Sequence, residues 1–323
     1  MAVLRCQAVR VPQVDHGSDS ASAAQVAAIY DRAGKGYTAY ADGDVSKLFS
    51  FDGIHGYADR QVWHVLDKKL TTLKANGATS VRLLDAGCGP GTWLRRMVMR
   101  AHELGFSAIT ARGFDISCSQ IEQARSLARG LSEIPGIQLT FDVADLTRPL
   151  SEPDGAVDIA LCLYSVLSHL PVGQLPNVSR EFSRVTSGHL VVSVRSIGSV
   201  PSGFVHPIES IRYLRHDHSR DQCEIELQDR SRAIFSMHLF AAAELRECFA
   251  QGFVVEDLRG LDLFHTRFAP DARWSPPGLH ADKGLCDQLA ELEEIYAVKP
   301  EFINRATHLM LVGRRADLLY GTT

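Results

Sequence analysis

The chain has 323 residues, of which 45% are hydrophobic and 22% charged, and its net charge at pH 7 is −4. This composition is typical of a globular protein with a sizeable core, and the acidic balance gives no electrostatic footprint for binding nucleic acid. The longest strongly apolar run, 159–167, is too short to span a bilayer.

The N-terminal part of the chain predicts a tail followed by two helices. Residues 1–19 are rich in polar residues and are expected to be a flexible tail without the apolar core of a signal peptide. Ser22 and Gln25 form a capping-box pattern that predicts the start of a helix. A second helix is predicted over 59–74, with Gly77 as its C-cap.

Residues 81–93 read VRLLDAGCGPGTW and predict a buried strand, a tight turn and the start of a helix. Asp85 ends the strand, and Gly87, Gly89 and Gly91 follow within a few residues. A glycine-rich turn between strand and helix lets the backbone approach a nucleotide-like ligand closely.

The chemistry of this turn argues against a dinucleotide. The dinucleotide pattern G-x-G-x-x-G/A needs a small last residue, and counting from Gly87 that position is Thr92. The Asp85 carboxylate is poorly suited to a pyrophosphate, but it can accept a hydrogen bond from an ammonium group. We therefore expect a nucleoside that carries an amino acid.

Further strands alternate with helices downstream, as in a doubly wound parallel sheet. Apolar strands are predicted at 109–114, 137–141, 157–164 and 189–195. Asp115 directly follows the 109–114 strand, which is the second strand of the predicted sheet. The acidic residue after the second strand is in the position that such folds use to bind ribose hydroxyls.

The segment 196–239 interrupts this alternation. Its polar run 212–220 is expected to be a solvated loop, and the alternating stretches 223–227 and 233–239 predict a β-hairpin. His216, His218 and Cys223 are zinc-type ligands, but the pattern supplies no fourth ligand, so no metal is predicted.

The C-terminal part predicts a strand at 253–258, a helix with Leu289 and Tyr296 on one face, and a last strand at 307–313. Seven cysteines without a C-x-x-C pair argue against a disulfide scaffold and favour a cytoplasmic protein.

Taken together, the D-x-G-x-G-x-G turn and the strands that follow it resemble motif I and its downstream elements in the class I S-adenosylmethionine (SAM) methyltransferases. The resemblance implies an α/β fold with a doubly wound, mostly parallel seven-stranded Rossmann-like sheet and an antiparallel last strand. It also implies a helical lid at 20–78, a core at 79–195 and 240–318, and a substrate-side insertion at 196–239. A simple packing cover for the sheet is the alternative to the lid.

The resemblance implies SAM as cofactor. Asp85 would bind the ammonium group of SAM, Asp115 the ribose and Asp145 the adenine, with Asp142 as the alternative to Asp145. Asp115 could also cap the helix that follows it. The predicted cofactor site comprises Tyr37, Asp85, Gly87, Cys88, Gly89, Gly91, Thr92, Asp115, Ile116, Asp145, Leu146 and Tyr164.

His169 follows the 157–164 strand and is the candidate general base, with a capping or packing role as the alternative. These residues predict a methyltransferase that acts on a small molecule, with O-methylation as the first choice. N-methylation and a SAM-binding protein without transferase activity remain alternatives. We predict no nucleic-acid or membrane partner, and a homodimer stays open.

Overall fold

The computed structural model describes residues 23–33, 47–51, 56–199, 212–226, 230–265 and 283–316. The predicted tail 1–19, the capping residue Ser22 and the predicted site residue Tyr37 lie outside the described residues. The strands are β1 (Ser80–Ala86), β2 (Ala108–Asp115), β3 (Ile137–Val143), β4 (Val157–Cys162), β5 (Thr186–Arg195), β6 (Arg212–Asp217), β7 (Gln222–Glu226), β8 (Arg232–Ser236), β9 (Phe253–Leu261) and β10 (His308–Arg315).

Seven strands of the described chain form one sheet in the order β3-β2-β1-β4-β5-β10-β9. Strands β1 to β5 pair in parallel, whereas β10 is antiparallel to both of its neighbours, β5 and β9. The predicted fold class is therefore confirmed, although the antiparallel last strand lies inside the sheet and not at its edge. The strand order reverses between β1 and β4, and in such sheets ligands bind at the carboxyl ends of the strands flanking this point.

Two hydrophobic layers cover the two faces of the sheet. Successive side chains of a strand point to opposite faces, so Val81 and Leu83 of β1 belong to one layer, and Leu84 and Ala86 to the other. All four side chains are nearly or completely buried. This two-sided burial explains why the strand is apolar at Val81, Leu83 and Leu84, whereas Arg82 is exposed.

Helices surround this sheet. They are α1 (Ala23–Ala33), α2 (Gly56–Ala75), α3 (Thr92–Glu103), α4 (Cys118–Leu127), α5 (Arg129–Ser132), α6 (Leu175–Val185), α7 (Ala242–Phe249), α8 (Lys283–Tyr296) and α9 (Pro300–Ile303). None of these described helices is long and apolar enough to cross a membrane.

Helix α8 differs from the expected apolar packing, because its one buried side chain is Glu293. The Glu293 carboxylate accepts hydrogen bonds from three consecutive backbone N–H groups, those of Leu263, Phe264 and His265. These bonds compensate for burial of the carboxylate and fix the segment that follows β9.

The insertion forms a separate three-stranded antiparallel sheet in the order β6-β7-β8. The predicted hairpin is confirmed as β7 and β8. The expectation of a solvated loop over 212–220 is wrong for its first part, because residues Arg212–Asp217 form β6 and pair with β7. Charged side chains are compatible with a strand here, since Arg215 pairs with Glu224 across the two strands at 2.8 Å.

Helix α1 packs against this small sheet. Ile29 is buried in one hydrophobic cluster with Cys223 and Ile225 of β7. The N-terminal helix and the insertion are thus joined by an apolar contact of their own, separate from the two layers on the main sheet.

Candidate active site

The turn after β1 is held against the end of β2 by backbone hydrogen bonds. The N–H groups of Gly87 and Cys88 donate to the carbonyl oxygen of Phe114 at 2.8 and 2.9 Å. The N–H of Gly89 donates to Oδ2 of Asp115 at 2.9 Å. The predicted ribose-binding carboxylate is therefore brought directly beside the glycine turn.

Steric contact explains why two of these positions are glycine. Gly87 and Gly91 have positive φ angles of 73° and 76°, which side chains rarely adopt. A Cβ atom on Gly87 would lie 2.3 Å from Val166, and one on Gly91 would lie 2.7 Å from the ring of Phe141.

Gly89 faces a more open space, which is where a ligand can approach the turn. The nearest atom to a Cβ built on Gly89 is Oε1 of Gln120, at 3.9 Å. The turn thus presents backbone to this space on the side where Asp115 lies.

Both oxygens of the Asp115 carboxylate accept from backbone N–H groups, and its contact with a ribose stays a prediction. Its Oδ1 accepts from the N–H of Ser117 at the start of α4, and its Oδ2 accepts from Gly89. Burial raises its pKa, while these backbone hydrogen bonds act in the opposite direction. Each carboxylate oxygen has a second lone pair, so the group can still accept from a hydroxyl.

Asp85 is a buried carboxylate that lacks part of its hydrogen bonding. Its side chain is 2% exposed, and Oδ2 has no partner among the described residues. Burial and the nearby charge of Asp115 together raise its pKa to about 7, although the hydrogen bond from the Leu94 backbone N–H acts in the opposite direction. A buried acceptor without a donor is energetically unfavourable, so this oxygen fits a cationic ligand donor.

Gln120 is a residue that the sequence reasoning did not place in the site. Ser117 and Gln120 have the spacing of a capping box, and one half of that box is present, because Ser117 Oγ accepts from the Gln120 N–H at 3.3 Å. The reciprocal side-chain bond is absent: both amide atoms of the buried Gln120 lack partners among the described residues. The one sequence signal for this residue is its place in the first turn of α4, the helix that follows Asp115.

The carboxylates after β3 have distinct partners. Asp145 Oδ1 accepts from both the N–H and the hydroxyl of Thr147. Asp142 forms an ion pair with Arg112 at 2.9 Å. Among the other predicted site residues, Leu146 and Cys88 are buried, and Ile116 and Thr92 are half-buried. The adenine contact therefore stays a prediction.

Tyr164 closes the other side of the site. Tyr164 and Ser165 have positive φ angles of 51° and 74°, so the chain turns sharply after β4. The Tyr164 ring stacks with Trp93 at 6.0 Å, and its hydroxyl donates to Asp59 of α2. Burial raises the pKa of this phenol well above its usual value, which agrees with a pocket-lining role and not with a reactive phenolate.

His169 lies in a short 3₁₀ turn, Leu167–His169, and is almost completely buried. Its Nδ1 lies 3.0 Å from the carbonyl oxygen of Ser236 in β8, and its Nε2 lies 2.6 Å from the hydroxyl of Tyr30 in α1. Burial lowers its pKa to about 4, and the nearby Arg195 lowers it too. The imidazole is therefore neutral at pH 7, the form that can accept a proton.

Comparisons with known proteins identify a methyltransferase domain around this site. Residues 83–188 match the sequence model of a methyltransferase domain. A search of curated protein sequences gave no significant match. The end of β1, the glycine turn, β2 to β4 and the His169 turn all lie inside the matched stretch.

Solved structures share the fold at low sequence identity. The [4+2]-cyclase SpnF is 20% identical, with a TM-score of 0.53 and coverage of 91% of this chain and 97% of the cyclase. The magnesium protoporphyrin IX methyltransferase of Synechocystis, solved with SAH bound, is 16% identical, with a TM-score of 0.51 and coverage of 93% and 100%.

The domain match and the strand order define a methyltransferase fold of the Rossmann-like type. Residues 83–188 therefore form a methyltransferase domain, and the solved structures show the same fold over most of the chain.

We predict that Gly87→Ala lowers the free energy of unfolding by ~1–3 kcal/mol, because alanine is strained at a φ of 73° and its Cβ would clash with Val166. Urea unfolding measures this change. Gly130→Ala is the matched control, since Gly130 lies in α5 with nothing within 4 Å of a new Cβ. It should change stability by less than about 1 kcal/mol, in the stabilising direction. Equal effects of the two variants would contradict the steric account.

A second prediction concerns Asp85 in the ligand-free protein. Its pKa is about 7 in the folded state against 3.8 for an unperturbed group, so the folded state binds more protons and stability falls as the pH rises through this window. The loss attributable to Asp85 is up to ~4 kcal/mol, at about 1.4 kcal/mol per pKa unit. Asp85→Asn should therefore gain stability relative to wild type between about pH 4 and pH 7.

The measurement is the urea unfolding free energy of both proteins across this pH range. Asp154→Asn is the control, because the Asp154 side chain is 81% exposed, and it should follow the wild-type curve. If the unfolding free energies of Asp85→Asn and wild type changed with pH in the same way, the pKa of Asp85 would not be raised in the folded state.

Proposed function

We propose that this enzyme transfers the methyl group of SAM to a hydroxyl of a small-molecule acceptor, with His169 as general base. The observation that carries the proposal is the buried, partly unsatisfied Asp85 carboxylate beside an open glycine turn. A carboxylate in that state suits an ammonium-bearing nucleoside and is unfavourable next to a pyrophosphate.

The residues present fit SAM in three places. Asp85 Oδ2 would accept from the ammonium group, and Asp115 would accept from the ribose hydroxyls. The free amide of Gln120 lies where it could donate to or accept from the same ligand. Tyr37, Cys88, Thr92, Ile116, Asp145 and Leu146 remain proposed contacts.

When bound, SAM supplies an activated methyl group on a sulfonium with a good leaving group. The protein's task is therefore to orient the acceptor, exclude water and remove a proton. Tyr164, Trp93 and His308 form an aromatic wall, with His308 edge-on to Tyr164 at 5.7 Å. Such a wall excludes water from the space beside the turn after β4.

His169 is suited to the proton transfer by its tautomer. A carbonyl oxygen can only accept, so Nδ1 must carry the hydrogen that it donates to Ser236, and Nε2 is left as the acceptor. The position of His169 just beyond β4, in the same turn as Val166 that contacts Gly87, supports its nearness to the cofactor.

We also propose that α1 and α2 act as the N-terminal lid of 20–78. The contacts that support this are Tyr30 with His169 and Asp59 with Tyr164, which link both helices to the turn after β4. The insertion 196–239 would shape the acceptor side, since Ser236 holds His169.

The same proposal places the enzyme in the cytoplasm, acting on a small molecule and not on nucleic acid. The net charge of −4 supports the absence of a nucleic-acid substrate, and the odd number of cysteines without a C-x-x-C pair supports the compartment.

A second candidate is a SAM-binding protein that catalyses no methyl transfer. It is favoured by one observation, that the [4+2]-cyclase SpnF has a similar fold and is named for a different reaction. Release of the demethylated cofactor on incubation with an acceptor would separate the two functions.

We expect Asp115→Ala to weaken SAM binding by ~1.5–3 kcal/mol, the usual value of hydrogen bonds to a charged group. Isothermal titration calorimetry with SAM and with its demethylated form measures this. Asp154→Ala is the control, because the Asp154 side chain is 81% exposed and pairs with Arg184, and its affinity for SAM should equal that of wild type. Unchanged affinity in Asp115→Ala would remove Asp115 from the site.

We expect His169→Ala to lower turnover by ~10²-fold or more and to leave SAM affinity nearly intact, because the residue serves the acceptor and not the cofactor. The difference from wild type should persist down to about pH 5, since the pKa of His169 is held at about 4 and the base stays neutral. His218→Ala, at an exposed turn of the insertion, should retain activity. A fully active His169→Ala would reject His169 as the base.

A further inference from the structure

The acceptor nitrogen of His169 is already engaged by another residue. Because Nδ1 donates to the Ser236 carbonyl, Nε2 is unprotonated, and the Tyr30 hydroxyl at 2.6 Å must donate to it. An acceptor hydroxyl that gave its proton directly to Nε2 would first have to displace Tyr30.

Holding the imidazole in place does not require this second hydrogen bond. The Ser236 carbonyl fixes one edge of the ring, and the ring of Phe235 lies 5.4 Å from its centre. Tyr30 approaches edge-on, with ring centroids 5.5 Å apart and planes at 78°. Its phenolic oxygen, which donates one proton, keeps lone pairs that can accept another.

Helix α1 is anchored in a way that fixes Tyr30. The Asp31 carboxylate accepts from Ser117 Oγ at 2.5 Å and from the Ser119 N–H at 3.2 Å, at the start of α4. Ile29 is buried against the insertion. Neighbouring residues of a helix point about 100° apart, so Ile29, Tyr30 and Asp31 reach three different parts of the protein.

We propose that Tyr30 is a catalytic residue that relays the acceptor's proton to His169. In the transfer step the acceptor O–H bond breaks and its proton goes to the Tyr30 oxygen, while the phenolic proton passes to Nε2 of His169. The acceptor oxygen forms the bond to the methyl carbon, and the sulfur keeps the electron pair of the broken S–CH₃ bond. The proton then returns through Tyr30 to water after the product leaves.

This relay rests on the proposed function and deepens it. It also explains why a base buried beside the cationic Arg195 can work, since the phenol connects it to the acceptor without exposing it to water. Among the residues that the structure describes, Arg195 and Tyr30 are the charged and titratable groups that act on His169.

The first test uses the ligand-free protein. Nitrogen-15 NMR of the histidine side chains should show His169 protonated at Nδ1 in wild type and in Tyr30→Phe, with the Nε2 resonance shifted in the variant by loss of the hydrogen bond. An unchanged Nε2 resonance would show that Tyr30 does not bind His169 in solution and would overturn the relay.

The second test measures release of demethylated cofactor from SAM, with p-cresol and a panel of small phenols and alcohols as probe acceptors. Tyr30→Phe keeps the ring and its packing, so we expect turnover to fall at least tenfold with SAM affinity unchanged within about twofold. Adding Tyr30→Phe to His169→Ala should cause no further loss, because the two residues act in one relay. Tyr296→Phe, whose ring packs on Phe302 away from His169, is the control and should be fully active.

The outcomes separate the two proposals. Transfer by wild type that is lost in His169→Ala but unchanged in Tyr30→Phe would overturn the relay and leave the proposed function standing. If each single variant lowered turnover and the double variant lowered it by the product of the two effects, the residues would act independently, and this result would also overturn the relay. A wild-type protein that binds SAM but methylates none of the probes would count against both.

Discussion

The attachment of the glycine turn to the end of β2 is the constraint on which the rest of the site depends. Two N–H groups of the turn share the Phe114 carbonyl, and a third binds Asp115. These bonds bring two carboxylates, Asp85 and Asp115, close together, so that the charge of Asp115 adds to burial in raising the pKa of the Asp85 carboxyl. The ligand-free site is therefore short of positive charge and of hydrogen-bond donors, and a cationic ligand relieves both deficits.

A second feature of the molecule is that elements outside the methyltransferase core meet at one histidine. The His169 turn belongs to the core, but Tyr30 comes from the N-terminal helix and the Ser236 carbonyl from the insertion. The His238 N–H also donates to the Ser168 carbonyl, so the end of the insertion is tied to the same turn. In the proposed function, the core would supply the cofactor side and the peripheral elements would surround the acceptor side. This division agrees with a common scaffold on which specificity is built by additions.

Much of the core could be predicted because its signals are local. The strand before Asp85 is apolar on both faces, the glycines are required by positive φ angles, and the Ser117 cap is a short-range hydrogen bond. Predictions that relied on side-chain type alone were weaker. Residues 212–217 look like a polar loop and form β6, because cross-strand ion pairs such as Arg215–Glu224 make charge compatible with pairing. Helix α8 has an apolar pattern, yet it buries Glu293, whose carboxylate is satisfied by three backbone N–H groups.

The sequence by itself determined the sheet, the turn and the acidic residues at the strand ends, since each follows from spacing within a few residues. Only the tertiary structure decided which groups surround His169 and Tyr164. Tyr30 and His169 are 139 positions apart, and Asp59 and Tyr164 are 105 apart. No local pattern encodes such pairs, because they depend on how α1, α2 and the insertion dock onto a sheet that is already formed. The same docking leaves Gln120 buried beside Gly89 without the partner that its capping pattern predicted.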